Sequence, residues 1–143
     1  MNEVFEIQPQ KGFSSLLFGS SMNDAEELWG KPEEVLLIDD IDDYPATVWH
    51  YWDKGYSLFF DEKDGKSFFN VEIDKIKAEL WGKKVFTLNE RQIIDLMKNE
   101  GIHQYETETE EWGEKRVTFD EVNMDFYFEN NNLVSINYGR IIK

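Results

Sequence analysis

The sequence predicts an α+β fold built of two tandem repeats, each a helix packed on an antiparallel β-sheet, with the two sheets either separate or merged into one continuous sheet. Three observations predict it. Residues 18–30 (FGSSMNDAEELWG) and 86–101 (FTLNERQIIDLMKNEG) share one pattern: Phe, capping residues, an amphipathic stretch, then Gly. The aromatic and β-branched pair Tyr56–Phe60 and Phe68–Ile73 recurs as Met124–Phe128 and Leu133–Tyr138. Helix and strands follow in the same order in both halves, which chance supplies less readily than a single repeated hairpin.

Each element has a local reason. In the first helix Ser21 can cap with Asp24, and Ala25, Leu28 and Trp29 form the apolar stripe; in the second, Thr87 and Glu90 form a capping box, and Ile93, Ile94 and Met97 recur at helical spacing. Gly30 and Gly101 stand where a helix exits with positive φ, and Pro32 stops the first helix. Strands Thr47–Trp52 and Lys115–Phe119 precede the recurring pairs. Asp64-Gly65 and Asn130-Asn131-Asn132 supply the hairpin turns, since Asn, Asp and Gly tolerate positive φ, and Asp53-Lys54-Gly55 and Asp120–Asn123 turn the chain ahead of the recurring pairs. The repeats run over about 1–78 and 79–143 and pack as one unit, for no Pro/Ser-rich linker divides them. The boundary, Asp74–Gly82, is expected to include a strand continuing from the first sheet. Phe59, Phe69, Val71, Phe126, Phe128 and Ile136 are the expected core.

Composition narrows function. The 143 residues carry 30 acidic and 15 basic side chains, a net charge of −15, and no cysteine. That balance opposes nucleic-acid binding, and the missing cysteines exclude disulfides and thiolate chemistry. An apolar share of 41% with 15% aromatics argues for a folded chain. No apolar run approaches a membrane span, and the first residues show no basic segment followed by an apolar one, so a cytoplasmic protein without membrane contact is expected.

The segment Gly19–Val35 (GSSMNDAEELWGKPEEV) resembles the G-M-[ST]-x-x-E-V-x-x-x-L-G-x-P pattern of the β-lactamase inhibitor proteins and the SmpA/OmlA-type outer-membrane assembly lipoproteins. Gly19 and Ser21 match its opening, Leu28-Trp-Gly-Lys-Pro32 its helix exit, and Val35 the start of a strand. The tandem helix-plus-sheet arrangement resembles the inhibitor proteins in particular. The resemblance implies the fold and a binding role; the inhibitor proteins' disulfides and the lipoproteins' N-terminal Cys have no counterpart here.

Enzymatic chemistry finds no motif. Asp39, Asp40, Asp42 and Asp43 crowd one loop, but lack the bend glycine and bidentate Glu of a calcium loop, so no metal and no cofactor is expected. His50 sits among aromatics and His103 follows the second helix, with no Ser or Cys in a nucleophile motif near either. The expected function is therefore a non-enzymatic acidic module that masks a basic protein partner, as an inhibitor or toxin-immunity protein does. A structural or assembly scaffold, with a homodimer formed through a sheet edge or face, is the alternative. Glu106, Glu108 and Glu110 fall on one side of a strand by period two, Asp40 and Asp42 add a second acidic stretch, and Trp49, Trp52 and Tyr56 are candidate anchors on a sheet face that helices leave open.

Overall fold

The structure is a computed structural model that describes residues 5–38, 45–63, 65–74 and 77–140. In chain order the elements are β1 (Phe5–Gln8), β2 (Gly12–Phe13), β3 (Leu16–Leu17), α1 (Met22–Trp29), β4 (Glu34–Ile38), β5 (Ala46–Tyr51), β6 (Tyr56–Asp61), β7 (Ser67–Asp74), β8 (Ala78–Leu80) and β9 (Lys83–Lys84). There follow α2 (Glu90–Asn99), β10 (Glu106–Thr109), β11 (Glu114–Phe119), β12 (Met124–Glu129) and β13 (Asn132–Gly139). The fold is α+β, mostly sheet.

An eight-stranded antiparallel sheet, ordered β10-β11-β12-β13-β7-β6-β5-β4, takes its strands from both halves of the chain. Its centre is the pairing of β13 with β7, which opposes Ile136 to Ile73 and Asn137 to Glu72. The strands read as the alternation predicts: Met124, Phe126 and Phe128 point to the core, with Asp125 and Tyr127 between them pointing away. Asn130 (φ 51°) and Asn131 (φ 65°) make the predicted β12–β13 turn in the left-handed region.

Both helices begin on capping boxes. Ser21 and Asp24 reciprocate on α1 as predicted. On α2 the cap is Asn89 with Gln92, not Thr87 with Glu90; Thr87 ends a 3-10 turn and donates its hydroxyl to the Lys84 carbonyl. Helix side chains Ala25, Ile93 and Met97 enter a single core with Trp49, Tyr56, Leu58, Phe60, Val71, Ile73, Phe126, Ile136 and Tyr138 of the large sheet.

The sequence reading missed a second sheet. β1 is its middle strand, in the order β3-β2-β1-β8-β9, and β8 runs parallel to β1. The boundary strand therefore joins the N-terminal segment instead of continuing the first sheet. Phe5, Ile7, Phe13, Leu16, Ala78 and Leu80 turn into the same core, so this small sheet covers one face of the large one together with the helices. Val71, Phe126, Phe128 and Ile136 are buried as predicted, whereas Phe59 and Phe69 are only half-buried. Phe59 alternates away from Leu58 and Phe60, and a register shift between Phe59 and Phe60 leaves Phe69 outside the core.

Candidate functional site

Core-forming side chains of the helices and small sheet lie on one face of the large sheet. On the other face, which neither helices nor the small sheet cover among the described residues, Phe59, Phe69 and Tyr127 are half-buried, while Val48 and Ser57 are buried. Strand register composes this open face, because directly paired residues share a face. Following the pairing from edge to edge gives one row: Glu34, His50, Ser57, Glu72, Asn137, Asp125, Thr118, Glu106. Half of these are carboxylates. A neighbouring row holds Glu108, Arg116, Tyr127, Ser135 and Asp74, with Arg116 as its cation.

Short hydrogen bonds knit the row. His50 Nδ1 lies 2.7 Å from Ser57 Oγ, and Thr118 Oγ1 donates to Asp125 Oδ1 at 2.6 Å. Trp52 stacks on the His50 ring, with centroids 4.0 Å apart and planes 10° from parallel, and donates Nε1–H to Glu34 Oε1 at 3.0 Å. Burial lowers the pKa of His50 and the charge of Glu34 opposes that shift, so the imidazole resists protonation. Glu72 is exposed as a whole residue, yet desolvation by its neighbours and the charge of Asp74 hold its carboxyl above the usual range; a hydrogen bond from Asn137 pulls the other way. The Tyr127 phenol rises as well, through burial and then Asp125, with Arg116 opposing. Desolvation is the first cause of all three shifts, and neighbouring carboxylates add to it at Glu72 and Tyr127.

The candidate residues divide on this frame. Trp49 and Tyr56 are corrected: both are buried on the helix side, where Trp49 packs on Phe60 and Tyr56 on Phe13 and Trp29, so neither reaches a partner. Trp52 is 55% exposed and sits at the β4 side of the open face. Glu106 and Glu108 lie in β10, the far edge strand of the large sheet, but Arg116 forms an ion pair with Glu108, so that carboxylate is matched within the chain. Glu110 falls just past β10, where its N–H donates to the Glu114 carbonyl at 2.7 Å. Asp40 and Asp42 lie outside the described residues. Among the described residues no group of three or more His, Asp or Glu side chains is placed to hold a metal ion, and no helix is long and apolar enough to cross a membrane.

Residues that the sequence reading did not select complete the surface. Glu34, Glu72 and Asp125 belong to the row only through register, which spans the whole chain. Ser57 meets His50 for the same reason; as isolated residues, they carry no motif. Trp112, 72% exposed in the β10–β11 turn, had a legible signal in the Glu-Glu-Trp-Gly turn sequence.

No protein-family model matches the chain, and no curated protein matches it. Among solved structures, the 1.5 Å crystal structure of an extracellular protein containing a SCP domain, from Bacillus anthracis str. Ames, is similar to it with a TM-score of 0.49 and 14% identity, over 86% of this chain and 44% of that one. The chain thus spans less than half the length of that protein.

Proposed function

We propose that this chain is a non-enzymatic, acidic binding module that masks a basic surface of a protein partner, as an inhibitor or toxin-immunity protein does. The observation that carries the proposal is the row in which Glu34, Glu72, Asp125 and Glu106 cross the open face of the eight-stranded sheet. Like charges arrayed on one surface repel, and lysines or arginines of a partner relieve that repulsion while steering encounter. Trp52 and Trp112 stand as exposed aromatic anchors, the residue type that concentrates binding energy. The proposed partner is a basic protein, with no nucleic acid and no membrane, and the proposed compartment is the cytoplasm.

The finer fold reading, two tandem units over about 1–78 and 79–143, belongs with this proposal. It is supported by the succession of one helix and four strands after residue 21 and again after residue 89, with the two runs joined antiparallel through β7 and β13. The resemblance to the β-lactamase inhibitor proteins implies the same arrangement. A second reading, an assembly module that dimerises through a sheet edge, draws on the exposed apolar strand β4. Light scattering separates the two, because a masking module stays monomeric at concentrations where a dimer forms.

The test is zero-length carbodiimide cross-linking of carboxylates to partner lysines in source-cell lysate, followed by peptide mapping. Cross-links from Glu34, Glu72, Asp125 and Glu106 are the expected result. Cross-links confined to helix carboxylates such as Glu26, Glu27 and Asp95 overturn the assignment of the face.

A further inference from the structure

The two edges of the large sheet differ in kind. β10 presents Glu106-Thr107-Glu108-Thr109, a polar, charged edge that discourages pairing with another chain. At the other end β4 meets no further strand among the described residues. It reads Glu34-Val35-Leu36-Leu37-Ile38, with no Lys or Pro within it, and its pairing with β5 runs without a register shift. Val35, Leu36 and Leu37 are 58%, 47% and 56% exposed. Successive strand residues point to opposite faces, so this apolar surface wraps both sides of the edge. A regular edge whose only charge is at its first residue, and which pairs with no further strand among the described residues, offers its outward backbone groups to an added strand.

Charge selects what that strand is. Glu33 precedes β4 and Glu34 begins it. The carboxylate of Glu33 accepts from the Asp53 N–H at 2.8 Å and that of Glu34 from Trp52 Nε1–H, both neutral donors that leave the negative charge in place. A second copy of this chain would bring another net charge of −15 to the same edge. A segment of opposite charge is attracted instead.

We infer that β4 is a strand-addition site for an extended apolar segment flanked by Lys or Arg, presented by a basic partner. The inference rests on the reading of the chain as a module for a basic protein, and adds where and in what backbone geometry one segment of that partner docks. Main-chain hydrogen bonds to the free edge give affinity, Val35, Leu36 and Leu37 take alternate side chains, and Glu33 and Glu34 take a flanking cation.

The test uses the full chain and a synthetic peptide, Val-Thr-Val-Ile-Val flanked by lysine pairs, followed by fluorescence anisotropy. Replacing Val35 and Leu37 together by Lys is expected to weaken binding about tenfold or more, because charge on an edge blocks pairing. Methylating alternate backbone nitrogens of the peptide, or exchanging its lysines for glutamates, is expected to do the same. Equal affinity for the methylated peptide overturns the inference, since general charge attraction then explains binding. A dimer of the unmodified chain in light scattering that V35K/L37K returns to monomer also overturns it, with a second copy as the occupant. Cross-links on the open-face row with no peptide binding at β4 remove this inference and leave the masking function standing.

Discussion

The phenol of Tyr138 donates to the carbonyl oxygen of Gly12 across 2.9 Å of buried interior, tying the last strand of the large sheet to the second strand of the small one. Tyr51 does the equivalent for α1, donating to the Gly30 carbonyl at 2.8 Å where the helix ends. Together the two phenols fix both covering layers against one face of the sheet, opposite the face that carries the carboxylate row.

Tyr138→Phe keeps the ring and removes the hydroxyl, leaving the Gly12 carbonyl without that donor. A loss of about 1–3 kcal/mol is expected in urea unfolding, the cost of an unmatched buried polar group. Ring packing against Phe18 should survive, since the centroids stay about as they are, 6.0 Å apart.

The same burial makes an alkaline signature. Tyr138 is held well above the ordinary tyrosine range by burial, and Tyr51 is pushed up to about 12 by burial and then by Glu26. An ultraviolet titration of phenolate is expected to show these two ionising only above the range of an exposed tyrosine, or together with unfolding. For a group whose folded pKa is raised, the folded state binds the extra proton, so stability is lost as pH rises past the unfolded value.

Gly12 has no room for a side chain. A Cβ there would lie 2.3 Å from the Leu16 carbonyl oxygen and 2.7 Å from the Leu17 Cα, both backbone atoms that cannot swing aside. Gly12→Ala is expected to cost about 2 kcal/mol or more in denaturant unfolding, by prying β2 from β3.

His50 gives an acid-side test with the opposite linkage. Its pKa is lowered chiefly by burial, so below the ordinary value of 6.5 the unfolded chain binds a proton that the folded one resists. Stability is present above that value and falls as pH drops through the window beneath it. His50→Gln is expected to flatten this part of the profile in thermal melts measured between neutral and mildly acidic pH.

Glu72 slopes the other way. Its folded pKa is raised by desolvation and by Asp74, so its ionised form is unfavourable at neutral pH and is relieved as pH falls toward the carboxylate range. Glu72→Gln keeps a partner for Asn137 and is expected to stabilise the protein at neutral pH by about 0.5 kcal/mol, a small gain because water screens the charge. The gain should shrink on acidification.

Much of the fold was legible because alternation and capping act locally: Ser21 with Asp24, the twin asparagines 130 and 131, and the aromatic strand pairs each state their own structure. The small sheet was not. Its strands β2, β3 and β9 have two residues each, too few for a period, and β8 meets β1 across some seventy residues of sequence. The site was legible only in its ends. Glu106 and Glu108 declare one face of one strand, but nothing local tells that Trp49 turns inward while Trp52 lies outside, or that Glu72 stands opposite Asn137. Those facts belong to register across eight strands, and register is settled by which faces find a core.

The most direct measurement is the association rate of the cross-linked partner, purified, with the chain in stopped flow at low and high salt. Glu72→Gln, Asp125→Asn and Glu106→Gln are combined in one variant; a control of equal charge carries Glu26→Gln, Glu27→Gln and Glu100→Gln. The row variant is expected to associate about tenfold or more slowly at low salt, with the difference fading as salt screens it, while the control keeps most of its rate. Equal slowing of both variants would contradict the account, for net charge alone, and not the carboxylate row of the open face, would then govern the encounter.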